Sequence, residues 1–174
     1  MNQYESLRKL MKTGDLIEWS PDSTIGRMIR WKTGRDVSHT SLVIRSTFPG
    51  LEEHVFLLEA VGEGVHPVRL SKVLAKFHGE AYWLALKPEY DLKRFAIGAW
   101  AIQTFVDAEP GYDYPGLFSN IIGRVALDGK LYYCSEWAQM AWTEANLIPK
   151  QEYVVHPGEF EQFGVTFPRV KLFE

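Results

Sequence analysis

Hydrophobic positions along the chain switch between helical and strand spacing in a definite order. Tyr4, Leu7, Leu10 and Met11 mark a short amphipathic helix within 1–12, closed by Thr13-Gly14. Gly14-Asp15 then opens a strand, Leu16-Ile17-Glu18-Trp19. Turn chemistry at Pro21-Asp22-Ser23-Thr24 leads to a second helix, capped by Ser23 or Thr24, with Ile25, Met28 and Ile29 as its apolar positions and Gly34 at its end. An unbroken strand pattern runs from Val37 to Ile44. It turns around Phe48-Pro49-Gly50 and returns antiparallel from His54 to Val61, and a third strand spans Val65 to Leu70.

Ala81-Tyr82-Trp83-Leu84-Ala85-Leu86 reads as another strand, ending before Pro88. A longer helix follows, with Phe95, Ala99, Ile102 and Val106 as its expected buried face. An aromatic loop, Gly111-Tyr112-Asp113-Tyr114-Pro115-Gly116, precedes a short irregular or helical piece at 120–125. The turn Leu127-Asp128-Gly129-Lys130 then leads to Leu131-Tyr132-Tyr133-Cys134-Ser135-Glu136-Trp137. There Trp137, Met140, Ala141 and Ala145 take up helical spacing. Strand-like residues close the chain from 165 to 173. Helices and strands are segregated rather than alternating as βαβ units, which predicts an α+β fold with a mostly antiparallel sheet packed against helices.

At 174 residues with 46% hydrophobic content, the chain has material for one substantial core, and a single domain over 1–174 is expected, with its core at about 13–170. The net charge of −3 gives no general attraction to nucleic acid. Arg27, Arg30, Lys32 and Arg35 form the one local basic cluster, read as a solvated helix face. No run is long and apolar enough to span a bilayer, since Phe95 to Ile102 is short and broken by Gly98. No secretory leader is evident in the first residues, and the single cysteine excludes an internal disulfide. A cytoplasmic location is expected.

That cysteine, Cys134, stands where an aromatic run gives way to a helix. A thiol on a first helical turn sits near unpaired N–H groups and the positive end of the macrodipole, both of which favour thiolate. Glu136 on the same turn opposes that ionisation. Without partners a lone cysteine such as Cys134 is more often a small buried hydrophobe than a catalyst. A nucleophile needs a base, and the base an orienting group. His39 enters its strand beside Ser38, ahead of an apolar run that would hold it rigidly. His54 belongs to the opposite end of the hairpin, and His66, His78 and His156 have no supporting pattern. With a turn centred near 49, opposed residues sum to about 98, which sets Glu59 across from His39 on the same face. A slip of one residue would turn Glu59 away. The alternative for Glu59 is an outward-facing residue of a half-exposed strand.

Five motifs in order resemble the circularly permuted, YiiX-like branch of the NlpC-type papain-like cysteine hydrolases, a group that also includes lecithin:retinol acyltransferase-like enzymes. They are Gly14-Asp15-Leu16-Ile17, Ser38-His39-Thr40-Ser41-Leu42-Val43, Leu58-Glu59-Ala60 with Gly64-Val65, Tyr112-Asp113, and Tyr133-Cys134-Ser135-Glu136-Trp137. Pro157 resembles the proline that follows the cysteine helix in such sequences. Thr40 and Ser41 depart from the small apolar pair usual in that group. The resemblance implies a permuted papain-like fold with Cys134 as nucleophile, His39 as general base and Glu59 as the orienting third residue.

The implied reaction is acyl transfer through a thioester, with the Cys134 backbone N–H as an oxyanion donor. The first expectation is an amidase or peptidase acting on a small peptide or amide. A thiol acyltransferase or lipid esterase would use the same residues on a lipid-like substrate, and a non-catalytic binding domain would leave them idle. Asp15, Trp19, Asp113 and Tyr133 are candidates for lining the cleft. Local backbone bonding (Asp15, Asp113) and core packing (Trp19, Tyr133) are their structural alternatives. No metal or other cofactor is expected, because the spacing lacks the paired local ligands of common zinc sites.

Overall fold

The computed structural model describes residues 3–61, 64–107 and 133–173. Its centre is a six-stranded antiparallel sheet in the order β4-β3-β2-β1-β5-β6. The strands are β1 (Leu16–Pro21), β2 (His39–Arg45), β3 (Val55–Val61), β4 (Gly64–Arg69), β5 (Gly79–Leu84) and β6 (Val170–Phe173). The helices are α1 (Tyr4–Leu7), α2 (Thr24–Thr33), α3 (Leu70–Leu74), α4 (Arg94–Asp107) and α5 (Tyr133–Glu144). The α+β class and the antiparallel sheet agree with the sequence pattern. The expected turns and loops at 111–116, 120–125 and 127–130 lie outside the described residues.

Side chains alternate across each strand, so the sheet buries both faces. On one face Leu16, Leu42, Ile44, Leu58 and Leu84 join Trp137, Ala138, Ala141 and Trp142 of α5 and Ile97 and Ala101 of α4. On the other, Ile17, Trp19, Val43, Leu57 and Trp83 join Tyr4 of α1 and Leu70 and Leu74 of α3. Each fully buried leucine of these layers contributes about 1.5–3 kcal/mol over an exposed one.

Three elements depart from the sequence reading. The N-terminal helix is a single turn, Tyr4–Leu7, while Met11 is buried beyond its end. Helix α4 buries the opposite stripe from the one expected: Ile97 and Ala101 are covered, whereas Phe95, Ile102 and Val106 are exposed. Helix α4 is apolar on several sides, so periodicity alone did not choose a face. Close approach favours the small-residue side, because a Cβ at Gly98 would stand 2.9 Å from Thr13 Cγ2. Trp100 then packs on Trp137 with ring centroids 5.0 Å apart. In α2, Ser23 caps the helix by accepting from the Gly26 N–H, and Gly34 at φ 66° ends it, as expected. Met28, expected among its apolar positions, is 54% exposed. No helix among the described residues is long and apolar enough to cross a membrane.

Candidate active site

Strands β2 and β3 pair Leu42 with Leu58 and Ile44 with Phe56. Continued along the strands, that register puts Ser41 opposite Glu59, with His39 two pairs beyond. The sequence reading placed His39 directly opposite Glu59. The hairpin turn lies one residue later than assumed, which moves the pairing by two positions and therefore keeps both side chains on the same face. Glu59 reaches His39 along the diagonal, with Nε2 and Oε1 3.6 Å apart, an ion-pair distance rather than a hydrogen bond.

Ser41 fills the space between them. Its hydroxyl donates to Glu59 Oε1 at 2.8 Å and accepts from Trp19 Nε1 at 2.9 Å. It also lies 3.3 Å from His39 Nε2. A serine has one proton to give, and here it goes to the carboxylate. The contact with His39 is favourable only if Nε2 carries the proton, which makes Nδ1 the basic nitrogen of the neutral ring. Burial alone would raise the Glu59 carboxyl; His39 and the Ser41 hydroxyl together outweigh it and hold that group below its ordinary value. Sequence reasoning noticed Ser41 only as a departure from a motif. Its signal was the strand period, which places it on the same face as His39. His66, set aside in sequence, stands exposed across the β3–β4 register from Glu59.

Helix α5 packs against β2 and β3. Near its C-terminal end, Trp142 Nε1 donates to the Gly14 carbonyl at 3.0 Å, and Gly14 N–H bonds Val43 O. One turn earlier, Gln139 bonds Val155 N–H and the Tyr153 carbonyl. The chain from there reaches Gly158, whose N–H donates to Glu18, the residue paired with Thr40. The helix thus runs back along β2. Cys134 is about 12 Å from Trp142 at 1.5 Å per residue, and His39 is about 13 Å from Val43 along the strand. His39, Ser41 and Glu59 stand on the face away from α5, so any approach from its first turn is around the strand end rather than through the sheet. The side chains of Cys134 and Tyr133, and all of Asp113, lie outside the described residues.

Two acids are buried on β1 and α5. Glu18 is fully buried on the α5 face, and burial pushes its carboxyl up to about 7 against the opposing effects of Gly158 N–H and Arg169. Glu136, 3% exposed, is also pushed up to about 7 by burial, and among the described residues neither carboxylate oxygen has a hydrogen-bond partner. A carboxyl with its pKa raised to about 7 is only partly ionised at neutrality and opposes a nearby thiolate less than the charged Glu136 assumed from sequence.

Asp15 and Trp19 are not brought together in a cleft. Asp15 lies about 13 Å along β1 from Trp19. It accepts from Lys12 N–H at 2.9 Å, Trp83 Nε1 at 3.0 Å, Leu86 N–H at 3.0 Å and Arg94 Nη1 at 2.7 Å. There it borders a separate cavity of about 290 Å³ with Leu10, Trp83 and Phe167. Trp19 is 2% exposed, its ring edge-to-face with Phe77 at 4.8 Å, and its indole N–H holds Ser41.

No family model matches the chain, and no curated protein matches it. Among solved structures, it is similar to the metalloprotein yiiX of Escherichia coli O157:H7, DUF1105. The two share 19% identity and superpose with a TM-score of 0.53 over 91% of this chain and 96% of that one. The fold is YiiX-like. At this identity the likeness extends to architecture: an antiparallel six-stranded sheet packed against helices. YiiX is described as a metalloprotein, but among the described residues here no three His, Cys, Asp or Glu side chains converge on a possible metal position. His39 and Glu59 supply two donors, with the proton of Ser41 already committed between them, so the described donor set does not fit a metal centre.

Proposed function

We propose that the protein is a papain-like cysteine hydrolase of permuted, NlpC-type architecture that cleaves a small amide or peptide bond through a thioester. The observation that supports this most is the His39–Ser41–Glu59 network on strands β2 and β3. Proton bookkeeping in that network keeps Nε2 protonated and Nδ1 basic. A histidine so arranged accepts a thiol proton at Nδ1 while its imidazolium is stabilised by Glu59 at the other nitrogen. Cys134 supplies the thiolate, attacking the carbonyl carbon around the strand end. Its own backbone N–H, at the helix start, donates to the developing oxyanion. The imidazolium returns its proton to the leaving amine, and water, deprotonated at Nδ1, then releases the acid and the free thiol.

Mass spectrometry of Cys134 after exposure to peptide and phospholipid mixtures tests the reading. A peptidyl or small acyl adduct, absent from Cys134→Ser, supports it. A fatty acyl adduct replaces it with a lipid acyltransferase or esterase, and a thiol that forms no adduct and alkylates no faster than an unactivated one removes the nucleophile.

A further inference from the structure

Helix α2 shows an unusual face to solvent. At 100° per residue, Arg27, Trp31, Met28 and Lys32 fall in that order within one arc of about 140°. Trp31 is 85% and Met28 54% exposed, and Arg27 and Lys32 are exposed on either side of them. An isolated exposed apolar residue is ordinary. An indole beside a thioether, bracketed by two cations on one helix, is the pattern of a helix lying in a lipid interface.

The surrounding charges sharpen this. No acid occurs between Asp22 and Asp36. Asp36 is held by Arg169 and Arg35 by Glu159, while the guanidinium of Arg30 turns back to donate to the Pro21 carbonyl at 2.7 Å. Among the described residues Arg27 and Lys32 form no ion pair, so their charges face outward. The chain as a whole is at −3, so an anionic surface would be repelled elsewhere and drawn to this helix.

We propose that α2 docks the protein on an anionic lipid bilayer, with Trp31 and Met28 entering the headgroup region and Arg27 and Lys32 pairing with lipid phosphates and carboxylates. Because α2 joins the end of β1 to the start of β2, this contact turns the His39 end of the sheet toward the lipid surface. The docking is independent of the proposed chemistry at Cys134 and is read by binding alone.

Vesicle co-sedimentation of the full chain tests it. Phosphatidylcholine vesicles containing phosphatidylserine should bind the protein, pure phosphatidylcholine should bind it weakly, and added salt should release it. Each cation near such a surface is worth roughly fivefold, so Arg27→Ser with Lys32→Ser should weaken binding about thirtyfold. Trp31→Ala should weaken it about tenfold, and brominated lipid should quench tryptophan emission in the native chain but not in Trp31→Phe. These residues are exposed, and circular dichroism checks that the variants remain folded. Equal binding to neutral and anionic vesicles, indifference to Trp31→Ala, or tighter binding to duplex DNA or RNA than to the anionic vesicles would overturn the proposal.

Discussion

Ser41 Oγ stands 2.8 Å from Glu59 Oε1 and 3.3 Å from His39 Nε2, so one hydroxyl joins the two residues that a direct cross-strand pairing would have joined. Replacing it separates what the hydroxyl does from what the carboxylate does. Ser41→Ala leaves the Trp19 indole N–H buried without its acceptor and removes the contact that orients the imidazole. A stability loss of about 1–3 kcal/mol is expected. The rate of Cys134 alkylation near neutral pH should fall as well, whereas a purely structural serine would change only the unfolding midpoint.

Cys134 is the single cysteine, so alkylation reports one site without ambiguity. If His39 activates it, iodoacetamide reacts at pH 7 at least about tenfold faster with the native chain than with His39→Ala. Glu59→Gln should lie between them, because it retains shape but loses the charge that stabilises the imidazolium. Equal rates in all three proteins would separate His39 and Glu59 from the thiol.

Asp15→Asn tests a residue that sequence made a cleft candidate. Its carboxylate is 1% exposed and holds the Arg94 guanidinium at 2.7 Å, so the neutral variant leaves that guanidinium with Asp91 as its remaining carboxylate partner, also at 2.7 Å. A loss of about 1.5–3 kcal/mol in stability is expected, with thiol alkylation unchanged in the folded protein. A selective change in reactivity would instead connect Asp15 to the site.

Buried acids should shape the pH dependence of stability. Glu136 and Glu18 are raised from 4.5 to about 7 on folding. Each therefore costs stability progressively as pH rises from the unfolded value, and the cost is complete above the folded one. Glu59 has the opposite sign: its folded value is lowered, so its contribution is present above 4.5 and is lost as pH falls through the folded value. Urea midpoints should be higher at pH 5 than at pH 8. Glu136→Gln should raise the unfolding free energy at pH 8 by on the order of 2 kcal/mol, and with it the midpoint, and leave pH 5 nearly unchanged. An unaltered difference between the two pH values would mean that Glu136 ionises normally in the folded chain.

The sequence by itself determined the local conformations and their order. Alternating apolar runs with turn residues between them specify strands, and the spacing after Cys134 specifies a helix, so the α+β class and the strand that His39 opens were legible. Even the shared face of His39 and Glu59 was accessible, because a shift of two in register preserves it. The register itself was decided by tertiary structure, since it depends on where the 46–54 connection closes and on packing across both sheet faces. The same holds for α4, whose apolar residues offered two competing stripes until Gly98 found room beside Thr13. Ser41 and Trp19 illustrate the general limit. A hydroxyl and an indole in sequence are donors without addresses, and only the folded sheet brings them within 2.9 Å, where the serine proton goes to Glu59 and the His39 ring nitrogen beside it is left to donate.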